Sequence, residues 1–149
     1  MEKKKFRDCF SFDEYWMGIS FLLAAKSPSK HMMIVVDNNQ LVATSKGEEL
    51  LCSSEQYDHQ CPLEIDIIAN CKNLPMCIVY CTFTPSYSMI SNLVCANLRR
   101  VIFYKTKDLA EDSQDLINCG RGITLTQFMG NLNWIRDYIS ILESSGIFA

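Results

Sequence analysis

Two β-rich apolar runs, 76–84 (MCIVYCTFT) and 99–104 (RRVIFY), flank a segment whose apolar residues Met89, Ile90, Leu93 and Val94 recur at helical spacing. This pattern constrains the chain more than any other. Two buried strands joined through a helix form a crossover connection, so they run parallel and the helix covers a face of their sheet. The pattern continues on both sides. Upstream, Ser11 and Glu14 stand in capping-box spacing before a run in which Phe12, Tyr15, Trp16, Ile19, Leu22 and Leu23 recur, which predicts a first helix. The run 32–45 (MMIVVDNNQLVATS) reads as a hairpin turning at Asp37-Asn38-Asn39. Pro62 suits a first helical position, and Ile65, Ile68 and Ala69 are expected on the inward side of that second helix. Pro85 is expected to open the third. A helix at 109–118 closed by Gly120, a strand at 122–128 and a last helix over 133–143 with Ile135, Tyr138, Ile139 and Leu142 on its face complete the order α-β-β-α-β-α-β-α-β-α. The expected fold is an α/β/α sandwich with later strands parallel and helices on both faces of the sheet.

Composition narrows the function classes. At 149 residues and 48% apolar, the chain has the size of one domain and enough apolar content for its core. We read 1–149 as a single domain with residues 1–10 as a flexible tail. A net charge of −3 provides no standing attraction to nucleic acid or an anionic membrane, and Lys3, Lys4 and Lys5 read as part of the solvated tail. No run approaches the roughly 20 apolar residues that span a bilayer. The expected location is intracellular and cytoplasmic. There the eight cysteines would be reduced thiols, and none forms a C-x-x-C pair.

Three segments in this order, 12–27 (FDEYWMGISFLLAAKS), 57–69 (YDHQCPLEIDIIA) and 82–104 (TFTPSYSMISNLVCANLRRVIFY), resemble the first helix, the catalytic stretch and the second ligand helix of the cytidine and deoxycytidylate (dCMP) deaminase superfamily. The resemblance covers nearly the whole chain and implies a mixed five-stranded sheet. Zinc deaminases of this type carry H-x-E and P-C-x-x-C, in which one His or Cys and two Cys hold the metal and the Glu moves protons. Carried over by position, the histidine is Pro62, the glutamate Glu64, the proline Pro85 and the two cysteines Ser86 and Met89. Proline offers no side-chain donor, serine is a poor zinc ligand and a neutral thioether suits softer ions. The resemblance therefore implies a pseudoenzyme without a cofactor.

Glu64 is the one catalytic position retained, and a carboxylate at the third helical position also caps exposed N–H groups and suits the positive end of the helix. Sliding either helix to recruit Cys61 or Cys95 would rotate its apolar stripe away from the sheet. A relocated site would draw on Cys52, His59, Cys61 and Cys71. For nucleotide binding the candidates are Lys46, Ser86, Tyr87 and Ser88, the last three for the free amides of a helix start. Tyr87, Met89, Asn92 and Leu93 are candidate contacts with a partner, either a second copy or an active deaminase. The alternative is a zinc-dependent nucleotide deaminase with an unconventional metal set and Glu64 as proton shuttle. Cys77 and Cys81 share one strand face and, like Cys71, Cys95 and Cys119 near helix ends, read as small apolar packing residues.

Overall fold

The computed structural model describes residues 11–27, 30–45, 63–109, 111, 113 and 123–135. Ser11 caps α1 (Phe12–Lys26) in a full capping box: its hydroxyl accepts from the Glu14 amide, and the Glu14 carboxylate accepts from the Ser11 amide. Strands β1 (Met33–Asp37) and β2 (Gln40–Thr44) pair antiparallel across a two-residue turn. Asn38 and Asn39 both take positive φ there, 52° and 59°, as a turn matched to strand twist requires. Next come α2 (Leu63–Asn70), a 3-10 turn over Leu74–Met76, β3 (Ile78–Cys81), α3 (Tyr87–Cys95) and β4 (Arg100–Phe103). Strand β5 (Thr124–Gln127) and a 3-10 turn at Asn133–Ile135 follow.

The strands form one five-stranded sheet in the order β2-β1-β3-β4-β5. Strand β1 is antiparallel to both of its neighbours, while β3, β4 and β5 run parallel. The mixed sheet with parallel later strands is thus present, and the register divides its residues cleanly. Met33, Val35, Val79, Cys81, Val101 and Phe103 face α2 and α3, where Leu63, Ile67, Ile90, Leu93 and Val94 complete one core. Ile34, Val36, Tyr80 and Ile102 face the other way, toward Trp16, Met17, Phe21 and Ala24 of α1 and toward Phe128, Leu132 and Ile135. Helices cover both faces because the central strands are apolar at consecutive positions rather than alternate ones.

Several local expectations change. Helix α1 buries Trp16, Met17, Ser20, Phe21 and Ala24, whereas Phe12 is exposed and Tyr15, Ile19, Leu22 and Leu23 lie at the margin. A helix apolar on nearly every side does not declare its inner face, and contact with the sheet selects one. Helix α2 turns inward Leu63, Glu64 and Ile67; Ile65 and Ala69 are exposed and Ile68 is marginal. Met76 belongs to the exposed 3-10 turn, not the strand. Pro85 precedes the cap of α3 rather than starting the helix, and its cap is Ser86. Cys95 is exposed, so it is no packing residue. Residues 1–10, most of 109–118, Cys119, Gly120 and residues 136–143 of the expected last helix lie outside the described residues, although Ile135 is buried.

The loop after β5 packs tightly against the start of α1. A Cβ on Gly130 would meet Glu14 Cγ at 2.7 Å and the Phe128 ring at 3.0 Å, so a side chain there would displace the carboxylate. Glu14 Oε2 accepts from the Asn131 amide at 2.8 Å.

Candidate functional site

Parallel strands β3 and β4 end side by side, and an open α/β sheet receives ligands beyond the carboxyl ends of its strands. Thr84 ties the two outgoing segments together. Its amide donates to Thr106 Oγ1 at 3.1 Å, and its hydroxyl donates to the Lys107 carbonyl at 2.9 Å. The same hydroxyl oxygen accepts from the amides of Thr106 and Lys107 at 2.9 and 3.2 Å. The chain entering α3 is thereby held against the chain leaving β4.

At the start of α3, Ser86 Oγ accepts from the Met89 amide at 3.3 Å and lies 3.2 Å from Ser88 Oγ. Ser86 is therefore the helix cap, satisfying one of the amides that a helix start leaves without an intrahelical partner. Tyr87 and Ser88 are exposed, and the partly buried Met89 packs against the core. The side chains from 86 to 89 are two hydroxyls, a phenol and a thioether. None is the thiolate or imidazole that zinc takes.

Glu64 lies in the interior. It is only 2% exposed, on the buried side of α2, and its Oε1 accepts from Asn92 Nδ2 of α3 at 3.4 Å. Asn92 lies three residues past Met89, so the two share a side of α3. No described donor reaches Glu64 Oε2; among the described residues the other buried side-chain polar atom without a partner is Ser113 Oγ. The carboxylate also lies close enough to the end of β3 to act on Cys81, whose thiol is pushed up first by burial and then by the charge of Glu64. A buried carboxylate oxygen without a donor costs about 1–3 kcal/mol or more. The sheet, α2 and α3 hold it there nonetheless.

The structure brings together Glu64 and Asn92, while Met89 lies about one turn before Asn92 on α3 and Ser86, Tyr87 and Ser88 form the start of that helix. Pro62, Lys46, Cys52, His59 and Cys61 lie outside the described residues. Cys71 sits beside Cys77, and Cys95 is exposed at the far end of α3. Among the described residues no group of three or more His, Cys, Asp or Glu is placed to hold a metal. Leu93 is fully buried in the chain's own core, which removes it as a partner contact, and Met89 packs on the same core. Sequence reasoning named Asn92 only as a surface contact. The signal that could have found its role is its spacing from Met89 on the side of α3 that meets α2.

No family model and no curated protein matches the sequence. Solved structures do match. The dCMP deaminase of cyanophage S-TIM5 is 16% identical, with a TM-score of 0.59 over 78% of this chain and 96% of that one. RibD of Acinetobacter baumannii is 16% identical with a TM-score of 0.60; the match spans 91% of this chain but 39% of RibD. A structure from a study of tRNA:A34 deaminases is 12% identical, with a TM-score of 0.58 over 76% and 97% of the two chains. At such identities the likeness concerns architecture, and by it the chain has the cytidine deaminase-like fold.

Proposed function

We propose that this chain is a deaminase-fold protein that works by binding a pyrimidine nucleotide rather than by zinc-dependent hydrolysis. The observation that carries the reading is Glu64 Oε2, a buried carboxylate oxygen without a described donor, set beside α3 residues that offer no zinc ligand. A nucleobase edge brings N–H donors that such an oxygen can accept. Asn92 holds the other oxygen and so orients the carboxylate. The exposed start of α3 at Ser86, Tyr87 and Ser88 suits the anionic part of the same ligand. The dCMP deaminase of cyanophage S-TIM5 has been solved with dCMP and dUMP, which supports this ligand class.

The residues at the ligand positions implied by the resemblance do not fit zinc. Pro62 has no donor atom in its side chain, the Ser86 hydroxyl is engaged as a cap, and the Met89 sulfur is a neutral thioether. On this reading Glu64 has no metal-bound water to deprotonate and serves as an acceptor. A second reading, a deaminase using Glu64 as proton shuttle with an unconventional metal set, draws on the burial of that same carboxylate. Function as a homo-oligomer or as the partner of an active deaminase belongs to the proposal. Light scattering tests the homo-oligomer, which a monomeric mass with and without nucleotide would remove, and co-purification with an active deaminase tests the hetero-complex.

Metal analysis, ammonia release and titration calorimetry with dCMP and dUMP decide between the readings. We expect zinc far below one per chain, no ammonia from dCMP, and nucleotide binding that weakens about 10-fold or more in Glu64→Gln, as loss of a hydrogen bond to a charged group implies. Near-stoichiometric zinc with ammonia release would establish the second reading instead. Absence of any nucleotide binding would remove the first.

A further inference from the structure

On the α2 side of the sheet, away from the carboxyl ends of the parallel strands, two thiols approach each other. Cys71 directly follows α2 and is half-buried, while Cys77 directly precedes β3 and is 2% exposed. Their sulfurs are 3.8 Å apart. Between them the chain folds back through the 3-10 turn Leu74–Met76, whose closing bond runs from the Cys77 amide to the Leu74 carbonyl at 3.0 Å. The Cys77 thiol donates to the Asn73 carbonyl at 3.1 Å. Among the four described cysteines this is the one close pair, since Cys81 is sealed in the core and Cys95 faces solvent.

We propose that Cys71 and Cys77 are a reversible disulfide site, oxidised by a low-molecular-weight disulfide of the glutathione class. A disulfide holds its sulfurs about 2.05 Å apart, so the pair closes by roughly 1.8 Å of side-chain movement. The half-buried Cys71 meets the oxidant first. Its thiolate attacks one sulfur of the incoming disulfide, breaking that S–S bond, forming a mixed disulfide and releasing one thiolate. Cys77 then gives its proton to solvent and attacks the Cys71 sulfur, which forms the internal bond and expels the second thiolate. Two electrons pass from the pair to the oxidant, and the two protons that leave Cys71 and Cys77 end on the two released thiols. Burial, then the hydrogen bond and charge of Cys71, hold the Cys77 thiol up at about 12. Cys77 is thus the poorer first nucleophile and acts second, when the neighbouring sulfur is already an electrophile. The bond would fasten the end of α2, the helix that carries Glu64, to the start of β3.

The test uses the full reduced chain in buffers of stepped glutathione and glutathione disulfide ratio, quenched in acid, alkylated and digested with trypsin without reduction. Cleavage after Lys72 leaves Cys71 on peptide 47–72 with Cys52 and Cys61, and Cys77 on peptide 73–99 with Cys81 and Cys95, so fragment ions assign the linked sulfurs. The expected product is therefore a linked peptide pair, two mass units lighter than the sum of its parts, that separates on reduction. Cys71→Ser, which changes a half-buried position, should lose this product. Cys77→Ala should instead accumulate the glutathione adduct on Cys71, with circular dichroism checking that each variant folds. A lasting adduct on Cys71 in the parent chain would overturn the proposal. So would a preferred link from Cys71 to another cysteine, or a 71–77 pair that stays reduced while exposed Cys95 is oxidised.

Discussion

The two faces of the sheet are built to different standards. Toward α1, the polar groups that lie among apolar neighbours have partners. Tyr80 donates to Asp13 Oδ1 at 2.7 Å, the Trp16 indole to Asn39 Oδ1 at 3.1 Å, and the buried Ser20 hydroxyl to the Trp16 carbonyl at 2.8 Å. Aromatic edges lock the same layer, with Phe21 and Tyr104 rings 5.0 Å apart at 85°. Toward α2 and α3 the core is mostly aliphatic, with Phe83, Phe103 and thiols among it, and it contains a carboxylate with one oxygen that no described group satisfies. Departures from full satisfaction tend to mark where a chain does something besides fold. The α1 face acts as scaffold, and the α2/α3 face carries the candidate site.

The largest effect that could break this contrast is on the scaffold face. Phe21 is fully buried, so Phe21→Ala should lower unfolding free energy by about 3–5 kcal/mol in a denaturant titration. A loss below about 1 kcal/mol would mean that this face is not the scaffold.

The other face should respond in a different way. Asn92→Ala removes the described donor to Glu64 and should cost about 1–3 kcal/mol. In a Glu64→Gln background the same change should cost less, because no charge is then stranded. A double-mutant cycle reads the coupling directly, and strict additivity would show that the two side chains are independent.

The smallest effect is a pH dependence at the edge of the scaffold. Glu14 is held below the usual carboxylate range by the Asn131 amide first, and then by the Ser11 side chain and amide. A carboxyl depressed in the folded state contributes stability above its unfolded pKa, and the contribution disappears as pH falls through the folded value. Glu14→Gln should therefore be less stable than the parent at neutral pH and match it in acid. A difference that persists unchanged at low pH would show that the loss comes from the capping geometry alone.

What could be read along the chain were features set by near neighbours. The Ser11–Glu14 capping box, the Asn38-Asn39 turn and the inward stripe Ile90, Leu93 and Val94 each depend on residues a few positions apart, and each is present as expected. The crossover from β3 through α3 to β4 was equally legible, because a strand, a helix and a strand in succession leave little choice of topology.

The α1 and α2 faces were not legible. Both helices carry apolar residues on several sides, so which side is buried depends on where the sheet lies. That same choice placed Glu64, expected as a cap at the helix start, in the interior beside Asn92, 28 positions away in the chain. Local order was legible in the order of the described elements, the Asn38-Asn39 turn and the α1 cap, since these are settled by hydrogen bonds and sterics within a turn or two. That a carboxylate is buried, and that Asn92 meets it, follows from packing between segments far apart in the chain, because burial is a property of surfaces that distant segments bring together.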